Sequence, residues 1–204
     1  DTQVVTTGVV SASWTDGQLQ PVGTLSAAQL AALTSPSNFT ANATGWNYSA
    51  ANSAVQFLGA GETANLTFSV TATDDSGAAN AAATQNVTVT VTGVNDTPSA
   101  VTDTGLTITE TLGAGALNPS WRTVTTLGAV DADTNDTHTF TIVGGADAAF
   151  FRIQGNALQL TPGAPVDTEV RSSYSVTVRV TDQRNASVDR ALTIVIADQD
   201  EFDV

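Results

Sequence analysis

Two residue types with distinctive chemistry are missing from this 204-residue sequence. It contains no cysteine, which excludes disulfides, thiolate catalysis, iron–sulfur clusters and cysteine-bound zinc. All six basic residues are arginines, so lysine is absent too. The lack of lysine excludes Lys–Asn isopeptide cross-links and Schiff-base chemistry. Small modules of this chain therefore need a non-covalent source of stability.

Positive charge is also scarce. Six basic residues face 20 acidic ones, and the formal net charge is −14. Such a field repels nucleic-acid phosphates and anionic lipid headgroups, so we expect no nucleic-acid partner. Clustered loop carboxylates are the ligands that Ca²⁺ prefers. The composition thus favours calcium as the cofactor.

Long apolar segments are absent as well. No stretch approaches 18 consecutive apolar residues, and the first residues lack the charged and apolar regions of a signal peptide. We therefore expect no membrane insertion and interpret the sequence as an internal, soluble part of a longer chain.

Histidine occurs once, and the usual catalytic motifs do not occur. His138 has the same strand parity as Phe140 and Ile142, which favours a structural role near a core face. The sequence has no Gly-x-Ser-x-Gly elbow and no glycine-rich phosphate loop. A pair of carboxylates suffices for a glycosidase, but nothing selects one pair among the 20 acids. We predict that the chain is not an enzyme.

The residues that are present favour β-structure. Thr, Val, Ala and Ser dominate, and apolar residues alternate with polar ones in four segments that we predict to be half-buried antiparallel strands. These segments are Leu66–Ala72, Val87–Thr92, Tyr174–Val180 and Leu192–Ile196. One exception is predicted: Ser26 precedes apolar residues at helical spacing, which indicates a short helix ending near Leu33.

The strand pattern repeats once along the chain. Strand endings at Thr73-Asp74 and before Asn95-Asp96 recur as Thr181-Asp182 and Asp200-Glu201, about a hundred residues later. Pro98 then interrupts strand pairing after the first copy. We predict an all-β chain of two tandem antiparallel sandwiches of the immunoglobulin or cadherin-like type, residues 1–96 and 97–204, each ending in an acidic linker.

Four segments of the first module resemble a VCBS repeat, a family that recurs many times in large bacterial surface proteins. They are residues 46–49 (Trp-Asn-Tyr-Ser), 57–63, 68–74 and 89–98, the last ending in Gly-Val-Asn-Asp-Thr-Pro. The second module resembles a bacterial cadherin-like domain through residues 130–133, 166–169 (Val-Asp-Thr-Glu), 174–182 and 198–201. Together the two resemblances cover nearly the whole chain.

The cadherin-like resemblance implies calcium bound between successive modules. The ligands it implies at the internal junction are Glu62, Asn95, Asp96, Asp131, Asp133 and Asp182. Those it implies at the far end are Glu110, Asp167, Glu169, Asp198, Asp200 and Glu201. The sequence departs from the pattern at Ala60, which stands where the second module has Asp167, so the internal site lacks one carboxylate.

These resemblances imply a calcium-stiffened extender segment of a large, RTX-type bacterial adhesin that is secreted to the cell surface and serves cell adhesion or biofilm formation. Its partners would be neighbouring modules of the same chain, and we expect a monomer. The alternative is a calcium-dependent module that binds carbohydrate such as exopolysaccharide. Trp14, Trp46 and Trp121 are the candidate sugar platforms; we expect Trp46 in the core and Trp121 exposed near a loop.

One further alternative stays open. Eight Asn-x-Ser/Thr sequons are present, which would also be typical of a glycosylated eukaryotic ectodomain. They are Asn38, Asn42, Asn47, Asn65, Asn86, Asn95, Asn135 and Asn185.

Overall fold

The fold is known from a computed structural model that describes residues 4–16, 21–76, 78, 81–111 and 116–199. The chain divides into two compact units. The first comprises Asp1–Asp96 and the short segment Ala132–Asn135; the second comprises Thr97–Asp131 and Asp136–Val204. The predicted boundary after residue 96 gives two consecutive modules, whereas the structure groups Ala132–Asn135 with the first unit.

The first unit is a twisted sheet packed against a hairpin and one helix. Its strands are β1 (Val4–Thr15), β2 (Pro21–Gly23), β3 (Phe39–Asn42), β4 (Gly45–Tyr48), β5 (Thr63–Thr73) and β6 (Ala82–Thr92), and its helix is α1 (Ala27–Leu33). The four-stranded sheet has the order β2-β1-β5-β6, and β3 pairs with β4 separately. A 3₁₀ turn spans Asn52–Ala54.

The predicted helix is confirmed, together with its start signal. Ser26 is the N-cap: its hydroxyl accepts a bond from the Gln29 N–H, and the Gln29 side chain accepts one from the Ser26 N–H. This reciprocal capping satisfies two backbone donors that a helix start leaves without intrahelical partners. Leu33, at the last turn, is fully buried against the sheet.

The core of the first unit follows from the alternation in β5. Ala64, Leu66 and Phe68 point to the interior, and each is at most 2% exposed. The ring of Phe68 stacks on that of Phe39 in β3, with centroids 4.2 Å apart. Burial of each large apolar side chain contributes roughly 1.5–3 kcal/mol, so the predicted strand face is also the main source of stability for this unit.

Trp46 does not lie in the core, and that expectation was wrong. Its strand parity with Tyr48 is right, but the ring is 53% exposed and stacks only on the outer edge of the aromatic group, 5.8 Å from the Phe39 centroid. The reason is position along the hairpin. Trp46 directly follows the turn between Asn42 and Gly45, where the two-stranded hairpin extends past the core.

The second unit is a sandwich of two four-stranded sheets. Its strands are β7 (Ala100–Asp103), β8 (Thr107–Thr109), β9 (Arg122–Val130), β10 (Thr139–Gly144), β11 (Phe151–Gln154), β12 (Ala157–Leu160), β13 (Ser173–Thr181) and β14 (Ser187–Ala197). One sheet has the order β10-β13-β14-β8 and the other β11-β12-β9-β7. All pairings are antiparallel except β14 with β8.

The core of this sandwich lies between the two sheets. β13 buries Tyr174, Val176, Val178 and Val180, and β14 buries alternate residues in the same way. The four strands predicted from alternation are thus confirmed as parts of β5, β6, β13 and β14. Among the described residues, no helix is long and apolar enough to cross a membrane.

Candidate metal centre

Two groups of three carboxylates stand out, both in the second unit. One consists of Asp131, Asp136 and Asp182, and the other of Glu110, Asp167 and Glu169; in each, one oxygen per residue lies within 4.8 Å of the others. We call them the Asp131 cluster and the Glu110 cluster. Both form where strands end, because loops at the strand ends bring acidic residues from distant parts of the sequence together.

The Asp131 cluster is built by the ends of two strands and one loop. Asp131 directly follows β9, Asp182 directly follows β13, and Asp136 lies in the loop before β10. Thr139 of β10 pairs with Thr181 of β13, which brings the loop beside Asp182. The antiparallel register therefore decides which carboxylates meet.

Each ligand candidate in this cluster is held by protein donors. The Oδ1 atom of Asp182 accepts bonds from the backbone N–H groups of Arg184 (2.8 Å) and Ala186 (2.9 Å). The Oδ2 atom of Asp131 lies 2.8 Å from Nε2 of His138, and the Asp131 side chain is only 3% exposed. The structural role predicted for His138 is consistent with this contact.

Asp136 carries the clearest electrostatic signature. Its Oδ1 accepts a bond from the Gln183 amide at 2.5 Å, whereas its Oδ2 is buried and has no hydrogen-bond partner among the described residues. Burial, together with the charges of Asp131 and Asp182, raises the pKa of Asp136 above its ordinary value, although the Gln183 bond opposes the shift. A cation at this position would satisfy the buried oxygen and remove the repulsion.

The Glu110 cluster is organised by backbone N–H groups. Glu110 follows β8 and is 5% exposed; its two oxygens accept bonds from the N–H groups of Gln199 (2.6 Å) and Thr168 (2.8 Å). These bonds hold the pKa of Glu110 below its ordinary value. Asp167, which is also buried, accepts bonds from the N–H groups of Glu169 and Val170. The backbone bonds thereby fix both carboxylates in place.

Glu169 completes this cluster from the exposed side. A bond from its own backbone N–H lowers the pKa of Glu169, but the hydrogen bond with Asp167, desolvation and the charges of Glu110 and Asp167 together raise this pKa above its ordinary value. Crowding of negative charge thus contributes to the raised pKa values of both Glu169 and Asp136.

The remaining ligands predicted from the sequence are not members of these two three-carboxylate groups. In the first unit, Glu62 accepts bonds from Trp14, Gly59 and Asn135, and Asp133 accepts one from the Asp96 N–H at 2.8 Å. Three further carboxyl or amide groups remain. Asn95 donates to the Asp96 carbonyl, and Asp96 accepts from Gln56. Asp198 is exposed, and its side chain is hydrogen-bonded to Glu110. Asp200 and Glu201 lie outside the described residues.

Sequence reasoning missed Asp136. The dense acidic loop from Asp131 to Asp136 is the available signal, but the cadherin-like resemblance implies only Asp131 and Asp133 from it. Asp133 lies in the segment that groups with the first unit, where it accepts a bond from the Asp96 N–H and stays a predicted ligand. Asp136 forms a group with Asp131 and Asp182. The register of β10 against β13 determines that Asp136 is the loop residue beside Asp182.

Comparisons with known proteins agree with this architecture. Residues 118–197 match the family described as Cadherin domain. No curated protein matches the sequence. Among solved structures, human CDH23 EC21-23 has a TM-score of 0.50 at 17% identity over 95% of this chain and 58% of that one. Drosophila N-cadherin EC1-4 has a TM-score of 0.42 at 21% identity over 66% and 34%. The chain spans less than two thirds of either structure.

Most of the second unit is similar to the cadherin family, over residues 118–197. The mostly β architecture with immunoglobulin-like sandwiches, predicted from the sequence, is confirmed by the similarity to the CDH23 fragment.

Proposed function

We propose that the chain is a calcium-binding structural segment of an extracellular adhesion protein and has no catalytic role. The observation that carries the proposal is the Asp131 cluster. Three carboxylates converge there, and the buried Oδ2 of Asp136 has no hydrogen-bond partner among the described residues. Such an arrangement costs stability without a cation and gains stability with one.

The donor set fits calcium better than other metals. Every member of both clusters offers carboxylate oxygen, the ligand type of hard cations, and neither cluster contains histidine or cysteine. Asp131, Asp136 and Asp182 would hold one ion, and Glu110, Asp167 and Glu169 another. Bound calcium would neutralise the repelling carboxylates, at the affinities of about 10⁻⁴ to 10⁻³ M found in extracellular modules.

The wider setting that we propose is a rigid extender in a large surface adhesin. The cadherin match over residues 118–197, the VCBS resemblance of the first module and the net charge of −14 support it. Neighbouring modules of the same chain would be the partners, and a bacterial cell surface or biofilm the location. The stiffening of linkers by calcium, which the sequence predicts through Asn95 and Asp96, stays a prediction.

Calcium titration of the metal-free chain tests the proposal. Stabilisation should reach about 3 kcal/mol per site when the calcium concentration is about 100-fold above Kd. Scanning calorimetry measures the gain, and atomic emission after dialysis counts the ions. Small-angle scattering of the same samples tests the predicted stiffening.

Matched variants identify the sites. Asp131→Asn with Asp136→Asn should remove one ion, and Glu110→Gln should remove the other. Asp189→Asn is the control, because Asp189 pairs with Arg179 on the exposed face of a sheet and belongs to neither cluster. An unchanged melting temperature up to 10⁻² M calcium, about tenfold above the weakest expected Kd, contradicts calcium binding.

A further inference from the structure

One sheet face of the second unit has a chemistry unlike the rest of the chain. β9, β11 and β12 contain no Asp or Glu, although the chain has 20 acidic residues. Their buried side chains, among them Phe151, Leu158 and Leu160, face the core. The opposite face is polar, carries a positive charge and ends in an exposed tryptophan.

A ladder of hydrogen-bonding side chains crosses this face. Arg152 of β11 pairs with Gln159 of β12, which pairs with Thr123 of β9. The side chains follow the same order: Arg152 Nε donates to Gln159 Oε1 at 2.9 Å, and Gln159 Nε2 donates to Thr123 Oγ1 at 3.2 Å. Since neighbouring strands are about 5 Å apart, the ladder is about 10 Å long.

Trp121 closes one end of the ladder. Its ring is 40% exposed, and the guanidinium carbon of Arg152 lies 3.7 Å from the ring centroid. The position of the ring is fixed by the preceding loop. Asn118 is 2% exposed and donates to the carbonyls of Ser120 (2.5 Å) and Thr161 (2.8 Å). Because Thr161 directly follows β12, the second bond connects the loop to the end of that strand.

Arg152 differs from the arginines that form ion pairs. Arg171, Arg179 and Arg190 each contact an aspartate. The guanidinium of Arg152 contacts only amides and the tryptophan ring: besides Gln159 it donates to Gln154 at 3.2 Å. These two bonds use two of its five N–H groups, and no carboxylate among the described residues balances its charge.

We infer that this face, which we call the Trp121 face, is a binding site for a carbohydrate chain that carries a carboxylate-bearing sugar. An exposed aromatic ring offers an apolar platform with a polar edge. The adjacent amides and hydroxyl suit sugar hydroxyl groups, and the guanidinium suits a carboxylate, which it binds with paired N–H groups. Because these three strands carry no acidic side chain, an anion meets less repulsion here than beside the Asp131 or Glu110 cluster.

The net charge of the chain limits the charge density that we expect of the ligand. A field of −14 opposes a polymer with a charge on every sugar. A chain with widely spaced carboxylates places one acid at Arg152 and neutral sugars along the rest of the ladder. The site contains none of the residues of the Asp131 or Glu110 cluster, so binding is independent of calcium.

The probe is a hexasaccharide of alternating glucuronate and N-acetylglucosamine, and its neutral counterpart is the hexamer of N-acetylglucosamine. Binding is measured in the presence of a chelator by calorimetry and by amide chemical-shift changes. We expect the acidic hexasaccharide to bind and to shift amides of β9, β11 and β12. The neutral hexamer should bind about tenfold more weakly, because it lacks the charge-assisted bonds.

Variants separate the contribution of the Arg152 guanidinium to binding from that of the Trp121 ring. Arg152→Gln should reduce the affinity for the acidic probe about tenfold and leave the neutral probe unaffected. Trp121→Ala should weaken both probes, and Trp121→Phe should restore part of the affinity. Trp46→Ala and Arg179→Gln are controls, since they remove an exposed ring and an exposed arginine elsewhere.

Melting temperatures and amide spectra of the free variants show whether each remains folded. The inference is overturned if neither probe binds at millimolar concentration, if amide shifts lie outside the three strands, or if folded Arg152→Gln binds both probes like the wild type. Calcium binding is measured separately, so failure of the carbohydrate site leaves the proposed calcium function intact.

Discussion

Asp147 and Arg171 form an ion pair that fastens the 3₁₀ turn Ala148–Phe150 to β13. Arg171 Nη1 lies 2.5 Å from Asp147 Oδ1, and the other carboxylate oxygen of Asp147 accepts a bond from the Ser175 N–H at 2.8 Å. The guanidinium also lies over the ring of the buried Tyr174, 4.4 Å from its centroid. A single acidic side chain thus connects a loop, a strand and an aromatic core residue.

This pair predicts an acid-sensitive contribution to stability. The bond from Arg171, followed by that from Ser175, lowers the pKa of Asp147 below its ordinary value of 3.8. A lowered pKa stabilises the fold above pH 3.8, and the contribution disappears as the pH falls through the folded-state pKa. Asp147→Asn should therefore cost about 1 kcal/mol at pH 7 and less at pH 2.

Urea unfolding at both pH values measures the difference. Asp189→Asn, which removes the exposed ion pair with Arg179, serves as the control and should have a smaller effect. Equal destabilisation by Asp147→Asn at pH 7 and pH 2 would show that the charge of Asp147 is unimportant.

We expect position 145, next to this turn, to accept only glycine without a loss of stability. Its φ is +104°, and an added Cβ would lie 2.4 Å from the Cα of Val176, a backbone atom that cannot move aside. Gly145→Ala should therefore cost about 2–3 kcal/mol. Gly155 is the matched control: its φ of +62° is also left-handed, but nothing lies within 4 Å of an added Cβ.

Thermal unfolding compares the two glycine variants. Gly155→Ala should cost about 1 kcal/mol, the price of the left-handed conformation alone. If both variants lose the same stability, the close approach to Val176 has no energetic effect.

Two neighbouring rings of the first unit differ in burial, so we expect their removal to cost different amounts of stability. Phe39 is 2% exposed and stacks on Phe68, whereas Trp46 is 53% exposed and contacts only Phe39. Phe39→Ala should cost about 3–5 kcal/mol through the lost transfer energy and the cavity. Trp46→Ala should cost about 1 kcal/mol, the value of one aromatic contact. Denaturant unfolding followed by circular dichroism measures both, and equal losses would contradict the placement of Trp46 outside the core.

Local patterns predict the fold well because strand and helix signals are encoded within a few residues. Alternation identified β5, β6, β13 and β14, and the serine N-cap identified α1. Trp46 shows the limit of this reasoning. Parity states which side of a strand a residue occupies, but it does not state whether a neighbouring element covers that position.

The candidate site depends on long-range register, which local patterns do not contain. The cadherin-like resemblance implies Asp131 and Asp182 as ligands, and the structure brings them together with a third residue that the resemblance does not imply. The pairing of Thr139 with Thr181 determines that Asp136 is this residue. The ladder on the Trp121 face likewise needs the pairing of three strands, whereas the exposure of Trp121 followed from its loop position.

Asp136 predicts a reversal of stability that depends on calcium. In metal-free protein, its charge is unfavourable because the side chain is partly buried beside Asp131 and Asp182. Asp136→Asn removes that charge while preserving the shape of the side chain and an oxygen that can accept a bond from Gln183. We therefore expect the variant to melt a few degrees higher than the wild type in the presence of a chelator.

With calcium the order should invert. The wild type gains the binding energy of the ion, whereas the variant has lost one carboxylate ligand and gains less. Scanning calorimetry of both proteins, with chelator and with 10⁻² M calcium, about tenfold above the weakest expected Kd, gives the four melting temperatures needed. If the variant is less stable under both conditions, Asp136 acts as an ordinary hydrogen-bonding residue. If it is more stable under both, its carboxylate repels its neighbours but does not bind calcium. Only the inversion assigns the residue to a metal centre.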